Sequence, residues 1–290
     1  MKKEKHPLKT KTAPVIEALA ELSAVKGIVC FGSYALGSFD QYSDVDLYAF
    51  CQTAIVPTAA RRDALQKIEG ISDVQMDHAE FGWDNQWNHQ GDRFRLQGVL
   101  FDITFNTVDW IRTVVRKVTG EGAVSTPELR FRPSTMLGLL ENSITLYDPE
   151  AVLQKIKFAL YPYPRKLKEA LVEQSLSTIN GSIEDLRDYV KRDIGNTAFH
   201  FHLQRITDSL GTLLFALNER YDPATKRVEE AYSKLKIRPD NFMRRYKELL
   251  ETPLTADGRR KIARELQALA DEMEMLVNSR DSAYEPTQRG

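Results

Sequence analysis

The sequence predicts an α+β protein, in which an N-terminal mixed sheet with flanking helices is followed by an all-α helical bundle. Before residue 120, short apolar runs of strand-forming residues, such as 28–31 and 98–105, alternate with helical patterns. Beyond residue 122 the patterns are helical and are separated by Pro, Gly or Asp-Pro breaks. We therefore predict two domains, 1–120 and 121–290, that meet at a Gly-containing turn.

The elements of the first domain follow from hydrophobic period and from helix start and stop signals. An amphipathic pattern predicts a helix over residues 14–24, and Pro57 and Gly70 delimit a second helix. Residues 81–95 show no clear period and are interpreted as a loop, which either lines a pocket or folds its aromatic residues onto the sheet edge. The predicted strands are 28–31, 44–50, 71–76 and 98–105, and a helix over 107–118 closes the domain.

The second domain shows helical periodicity throughout. Its charge runs, Arg244-Arg245 and residues 259–264, are interpreted as solvated helix faces. The predicted helices are 133–146, 163–192, 195–220, 225–236, 240–251 and 256–278.

Composition narrows the class of partner. The formal net charge is −1, and both predicted domains are balanced in charge. This balance argues against a long nucleic-acid footprint, although a local basic groove is left open. The two cysteines, Cys30 and Cys51, lie in or at the end of apolar runs and are expected to be buried free thiols. No apolar segment is long enough to span a bilayer and no signal core is visible, so we expect a cytoplasmic protein without a membrane partner.

The most informative stretch is residues 28–50. An apolar strand ends at Gly32-Ser33, and a second strand carries Asp44 and Asp46 on one face because side chains alternate along a strand. Two carboxylates on one face can share a hard divalent cation such as Mg²⁺. Gly32 allows the backbone to approach a ligand closely, and Ser33 offers a hydroxyl and an amide. The pattern predicts a phosphate-binding turn beside a metal site.

A third acid lies on the strand 98–105. Phe101 and Ile103 alternate with Asp102, so Asp102 faces away from the apolar side of its strand. An unpaired buried carboxylate costs several kcal/mol, so Asp102 must either reach solvent or have a cation beside it. An exposed strand residue without a role is the alternative reading of Asp102, and Asp92 and Asp77 are the reserve candidates for the third acid.

This combination resembles the signature of the nucleotidyltransferase superfamily, which includes DNA polymerase β and kanamycin nucleotidyltransferase. The resemblance implies that Asp44 and Asp46 hold Mg²⁺ on a nucleoside triphosphate, with ATP as the expected co-substrate. It implies that Gly32 and Ser33 bind the β,γ-phosphates. Asp102 then either shares a second metal ion or accepts a proton from the acceptor hydroxyl.

The resemblance also implies transfer of a nucleoside monophosphate, AMP in the expected case, to a hydroxyl with release of pyrophosphate. The expected acceptor is a small molecule, aminoglycoside-like as the reference case. The alternatives are modification of a partner protein or toxin, a non-catalytic nucleotide-binding module, and RNA extension, which the charge balance disfavours. Glu141 is a candidate general base or else a solvated helical glutamate, and Arg93 and Arg95 either meet the triphosphate or solvate a surface. By analogy with kanamycin nucleotidyltransferase, a homodimer through the helical half is allowed.

Overall fold

The protein is described from a computed structural model that covers residues 7–77, 91–125, 132–224 and 226–281. The chain forms two compact units. The first, here called the sheet unit, consists of Met1–Pro164 with Asp222–Thr225, and the second, the helical unit, consists of Arg165–Tyr221 and Lys226–Gly290. An N-terminal mixed sheet followed by helices confirms the predicted α+β class.

The sheet unit is built on a six-stranded mixed sheet. Its strands are β1 (Val25–Phe31), β2 (Val45–Cys51), β3 (Ile71–Gln75), β4 (Gly91–Leu96), β5 (Val99–Thr107) and β6 (Ile144–Tyr147). Their spatial order is β3-β4-β5-β2-β1-β6, and every neighbouring pair is antiparallel except β2 and β5. A parallel pair needs a crossover connection, and here α3, β3 and β4 supply it.

The described residues of the same unit also form six helices: α1 (Pro7–Ala20), α2 (Gly32–Leu36), α3 (Thr58–Gln66), α4 (Val108–Glu121), α5 (Pro133–Asn142) and α6 (Val152–Phe158). Helix α4 begins where Thr107 accepts a hydrogen bond from the Trp110 amide, and it ends at Gly122 in the left-handed region. These are typical side-chain and glycine caps. The predicted helix over 107–118 is confirmed.

Strand alternation gives the sheet two different faces. On one face, Val45 and Leu47 of β2 lie in register with Phe101 and Ile103 of β5 and are buried. Leu19 of α1 belongs to the same buried cluster, and α3 contributes to it as well. On the opposite face lie the polar residues of β2 and β5. The alternation predicted from the sequence is therefore confirmed for both strands.

Helices also cover part of the polar face. The Trp110 ring of α4 stacks on Tyr48 with 6.0 Å between ring centroids. A Cβ atom added to Gly27 would collide with Leu153 of α6, so this helix lies directly against β1. These two helices lie over Tyr48 and over the register partners Gly27 and Phe50. Tyr48 and Phe50 follow Asp46 along β2.

Two predicted elements of this unit are wrong. The helix expected over 133–146 ends at Asn142, and Ser143 turns the chain into β6, which pairs with β1. The loop expected over 81–95 is strand β4 from Gly91 onward, because Asp92, Phe94 and Leu96 alternate inward; residues 81–90 lie outside the described part of the chain. The predicted boundary at residue 120 lies inside the sheet unit, at the end of α4, because β6 completes the sheet.

A fully buried arginine lies under the apolar face of the sheet. Arg61 of α3 is 0% exposed and lies 4.7 Å above the centre of the Phe105 ring. Its guanidinium pairs with Asp77, and its Nε lies 3.2 Å from Asp92 Oδ2. Burial raises the pKa of Asp92 to about 6, although the charge of Arg61 opposes that rise. This cluster ties α3 to β4 and to the end of β3.

The helical unit contains α7 (Arg165–Arg192), α8 (Asn196–Leu217), α9 (Val228–Ser233), α10 (Phe242–Glu251) and α11 (Ala256–Asp281). Its core is formed mainly by α8 and by the apolar faces of α7, α10 and α11. The described residues of this unit contain no strand, as predicted. None of the described helices is long and apolar enough to cross a membrane.

Two arginines of the helical unit contradict the prediction of solvated faces. Arg245 of α10 is only 13% exposed and pairs with Glu265 and Glu272 of α11. Arg259 is buried and pairs with Asp193, and it also donates to Asn196. These side chains brace helix against helix.

Candidate active site at the end of strand β1

The turn after β1 requires glycine for two separate reasons. Gly32 has a φ of +68°, in the left-handed region that disfavours residues with a Cβ atom. A Cβ atom at this position would also collide with the Asp46 carboxylate oxygen Oδ2. The backbone of Gly32 therefore lies directly beside an acid of the neighbouring strand. The structure also corrects the predicted turn, which is the short helix α2.

Three carboxylates converge beside this turn. Asp46 of β2 and Asp102 of β5 are register partners on the parallel pair, so both side chains leave the sheet on the same face. Asp44 lies two residues earlier and shares that face. Each of the three acids offers one oxygen, and these oxygens lie within 4.8 Å of one another. All three side chains are partly exposed, so a ligand from solvent can reach them.

The third acid already has a cation beside it. Arg93 of β4 is the direct cross-strand partner of Asp102. Its Nε donates to Asp102 Oδ1 at 2.7 Å and its Nη2 donates to Oδ2 at 2.9 Å. Two parallel N–H···O bonds of this kind are the strongest arrangement that arginine makes with a carboxylate. The requirement that Asp102 reach solvent or a cation is met by Arg93.

Ser33 carries a polar atom without a partner. Its hydroxyl oxygen is buried, and no described residue forms a hydrogen bond with it. Its carbonyl oxygen, in contrast, accepts a hydrogen bond from the Ser38 amide at 3.0 Å. A buried hydroxyl usually has a partner, so the Ser33 hydroxyl is suited to bind a ligand oxygen at this turn.

The neighbouring groups do not compete for this chemistry. Burial, and next the charge of Asp46, raise the pKa of Cys30 to about 12, so the thiol stays protonated and is a poor nucleophile. Burial also raises the pKa of Tyr48. Neither the Cys30 thiol nor the Tyr48 hydroxyl therefore competes with the three carboxylates.

A cation fits this arrangement on the chemistry of its donors. Carboxylate oxygens are the ligands that Mg²⁺ prefers, and it usually takes one or two from the protein while keeping waters or substrate oxygens. Asp44 and Asp46 offer two such groups on one face, next to a turn whose backbone can approach a phosphate. The oxygen cluster is thus compatible with a divalent cation held between protein and substrate.

A cavity of about 560 Å³ lies on the same face of the sheet, at its β6 edge. Thr145 forms part of its wall and pairs with Val29, which in turn pairs with Tyr48 on the face that carries Asp46. Lys157 donates to the Ser143 carbonyl at 2.7 Å, and burial lowers its pKa. The other residues that line the cavity are Asp148, Gln154, Phe158 and Tyr161.

The remaining candidates lie elsewhere. Asp92 and Asp77, the reserve acids, pair with Arg61 under the opposite face and do not join the three carboxylates. Glu141 lies at the end of α5 and accepts a hydrogen bond from the Tyr161 hydroxyl. Arg95 pairs with Asp73 and donates to the Gly98 carbonyl.

Sequence reasoning missed two features of the site. The sequence predicts a loop at Arg93, although the alternation of residues 91–96 is typical of a strand, and the pairing of that strand with β5 brings Arg93 to Asp102. The cavity beside β6 was missed because that strand was interpreted as the end of a helix.

Comparison with known proteins supports the superfamily predicted from the sequence. The family described as "Nucleotidyltransferase domain" matches residues 14–70, which contain Gly32, Ser33, Asp44 and Asp46. This confirms the superfamily predicted from the motif. The match ends before Asp102, so the third acid rests on strand register alone.

One solved structure similar to this chain is a nucleotidyltransferase-like protein from Exiguobacterium sibiricum 255-15. It is 12% identical, the alignment covers 93% of this chain and 76% of that one, and the TM-score is 0.43. A search of curated proteins finds no match.

Proposed function

We propose that this protein transfers a nucleoside monophosphate, AMP from ATP in the preferred case, to a hydroxyl of a small-molecule acceptor and releases pyrophosphate. One observation carries the proposal. Three carboxylates offer oxygens within 4.8 Å of one another beside a glycine turn, and residues 14–70, which include Asp44 and Asp46, match a nucleotidyltransferase domain. The third acid comes from the strand that pairs in parallel with β2.

Each residue has a role that its position supports. Asp44 and Asp46 would hold a divalent ion, taken to be Mg²⁺, on the triphosphate. That ion would neutralise charge on the phosphate oxygens. Gly32 lets its backbone approach the β,γ-phosphates, and the unpartnered Ser33 hydroxyl would donate to one of their oxygens.

The reaction forms one bond and breaks another. The acceptor oxygen bonds to the α-phosphorus, and the bond from that phosphorus to the bridging oxygen breaks, so the electron pair leaves with pyrophosphate. The acceptor proton passes to a base. Asp102 is the nearest acid to the pair Asp44 and Asp46, but both of its oxygens accept from Arg93. Glu141 is the second candidate base. A rigid sheet suits such chemistry, which depends on positioning and charge neutralisation.

The cavity beside β6 supports a small acceptor. Its volume of about 560 Å³ lies within the range of small-molecule sites, roughly 300–1,000 Å³. Tyr161 and the highly exposed Phe158, which is 83% exposed, offer ring surfaces at this cavity. An alcohol carried on a sugar ring, as in an aminoglycoside, is the acceptor class we propose.

Labelled ATP tests the proposal. We would incubate the protein with ATP labelled at the α-phosphate, with Mg²⁺ and a panel of small alcohols that includes aminoglycosides. The expected result is label on a small molecule and release of unlabelled pyrophosphate. Label on protein would identify a protein acceptor instead, and label on RNA would identify nucleic-acid extension.

Matched variants make that assay decisive. Asp46→Asn should abolish transfer, whereas Asp63→Asn, which changes an exposed acid of α3, should leave it unchanged. Full transfer by Asp46→Asn would refute the assigned role of the acids. If the wild-type protein binds ATP but transfers label to none of the acceptors, the result would instead favour a nucleotide-binding module without catalysis.

A further inference from the structure

The pair Arg93 and Asp102 differs from an ordinary surface ion pair. The two residues are direct cross-strand partners, so the backbone register brings them together. The arginine and aspartate side chains are 22% and 21% exposed. By comparison, Arg95 lies two residues further along the same strand, is 47% exposed, and approaches Asp73 only to 3.7 Å. Arg93 is therefore held at the acid cluster by the fold itself.

Counting formal charges shows what this pair does to the site. Asp44, Asp46 and Asp102 together carry −3 when ionised, and their nearest oxygens lie within 4.8 Å. Carboxylates this close repel one another unless cations lie between them. Arg93 brings the sum to −2. One divalent ion then makes the cluster neutral, whereas a second ion would leave it at +2 without a nucleotide.

The geometry gives the same result as the charges. Both Asp102 oxygens accept hydrogen bonds from Arg93, at 2.7 and 2.9 Å. In sites with two metal ions, the ions lie about 3.5–4 Å apart and are bound by shared ligands. While Asp102 keeps both bonds to Arg93, each of its oxygens has only one lone pair left, and the guanidinium charge beside it disfavours a second cation there. Asp44 and Asp46 are therefore the favoured carboxylate ligands of a single ion.

We propose that Arg93 is the built-in cation of this site, which holds Asp102 in place and limits the nucleotide-free protein to one divalent ion at Asp44 and Asp46. Arg93 is a positioning residue that acts through Asp102. This inference rests on the proposed function, because it assumes that the cluster binds a metal ion. It adds the number of ions bound and the residue that sets that number.

Counting bound Mn²⁺ by electron paramagnetic resonance and by calorimetry, without nucleotide, tests the proposal. The wild-type protein should bind one Mn²⁺. Arg93→Met should either bind a second ion or bind the first about tenfold or more tightly, since removal of one nearby charge changes ion binding on this scale. Arg95→Met, two residues further along β4, should match the wild type and serves as the control.

A double variant separates charge from simple loss of structure. Arg93→Met with Asp102→Asn removes both partners and restores the net charge of −2. It should bind one Mn²⁺ with an affinity within about threefold of wild type, because the pair as a whole contributes neither ligand nor net charge. If Asp102 is instead a metal ligand, the double variant should bind far more weakly than the wild type. The double variant remains informative if Arg93→Met alone fails to fold.

Besides weak binding by the double variant, two outcomes would overturn the inference. One is a wild-type protein that binds two Mn²⁺ ions without nucleotide. The other is an Arg93→Met protein that matches the wild type in both ion number and affinity, while Asp46→Asn loses binding. If Asp46→Asn binds Mn²⁺ as well as the wild type does, the metal site of the proposed function itself fails, so the two failures are distinguishable.

Discussion

Buried and half-buried charges serve opposite purposes in the helical unit and on the polar face of the sheet. In the helical unit, Arg245 and Arg259 pair with acids of other helices or loops, and these pairs tie the structure together. In the sheet unit, Asp44 and Asp46 gather on one face and stay partly exposed. Among the described side chains, the only cluster with metal-binding geometry is the one on the sheet. A local excess of carboxylates over cations therefore identifies the candidate site better than a shifted pKa alone does.

The largest expected effect is loss of the chemistry without loss of the fold. Asp46→Asn should lower nucleotide transfer by about 10³-fold or more, because it removes a ligand of the ion that neutralises the triphosphate. Since Asp46 is partly exposed, the midpoint of urea unfolding should stay close to that of the wild type. Initial rates and urea titrations on the same preparation measure both. A large drop in the free energy of unfolding would instead show that Asp46 stabilises the fold, as Arg245 and Arg259 do in the helical unit.

The second prediction concerns Gly32, where one substitution should lower both the stability of the fold and the affinity for the metal ion. Gly32→Ala introduces a Cβ atom at a φ of +68° and into the Asp46 carboxylate. We expect a loss of about 1–3 kcal/mol in the free energy of unfolding, together with a fall in Mn²⁺ affinity because Asp46 must move. Gly37→Ala shares a φ of +70° but meets no atom within 4 Å, so it isolates the backbone cost. Equal Mn²⁺ affinities of Gly32→Ala and Gly37→Ala would contradict a contact between the added Cβ atom and Asp46.

A third variant tests the structural charges of the helical unit. Arg245→Met leaves Glu265 and Glu272 without their shared cation. The free energy of unfolding should fall by about 1–3 kcal/mol, and the transfer rate per folded molecule should stay the same. The control is Arg244→Met, because Arg244 is 63% exposed and pairs with Glu248 in the next turn of the same helix. That change should cost less than about 0.5 kcal/mol.

The smallest effect concerns pH. The folded-state pKa of Asp92 is raised to about 6 from 3.8, so the folded protein binds this proton more tightly than the unfolded chain does. Its contribution to stability is fully present below pH 4 and is lost as pH rises through 6. Relative to Asp92→Asn, the wild type should gain about 1–2 kcal/mol between pH 7.5 and pH 5. Urea unfolding at both values measures the gain, and a constant difference would refute the raised pKa.

Local patterns predicted most of the site. Strand alternation placed Asp44 and Asp46 on one face, and it placed Asp102 opposite Phe101 and Ile103. These are properties of the chain over a few residues. The pairing of Asp46 with Asp102 was not derivable, because alternation does not say which strands become neighbours or in which direction they run.

The errors share a physical cause. Ser143 breaks the helix without Gly or Pro, so the four residues of β6 were absorbed into the preceding helical pattern. Arg245 was interpreted as solvated because its partners, Glu265 and Glu272, lie on another helix. Interactions between distant residues depend on tertiary packing, which periodicity does not record.

The single parallel strand pair has a consequence for how this site can change over time. Because β2 and β5 are neighbours in space but not in sequence, residues 52–98 are a detour that leaves β2 after Cys51, at the end away from Asp46, and returns to β5 shortly before Asp102. That detour also delivers Arg93. Insertions within it alter what surrounds the acids while their mutual geometry is kept by the register, whereas a slip of one residue in β5 would turn Asp102 to the other face. The connection over residues 52–98 can therefore change in sequence and length, whereas the register between β2 and β5 has to stay the same.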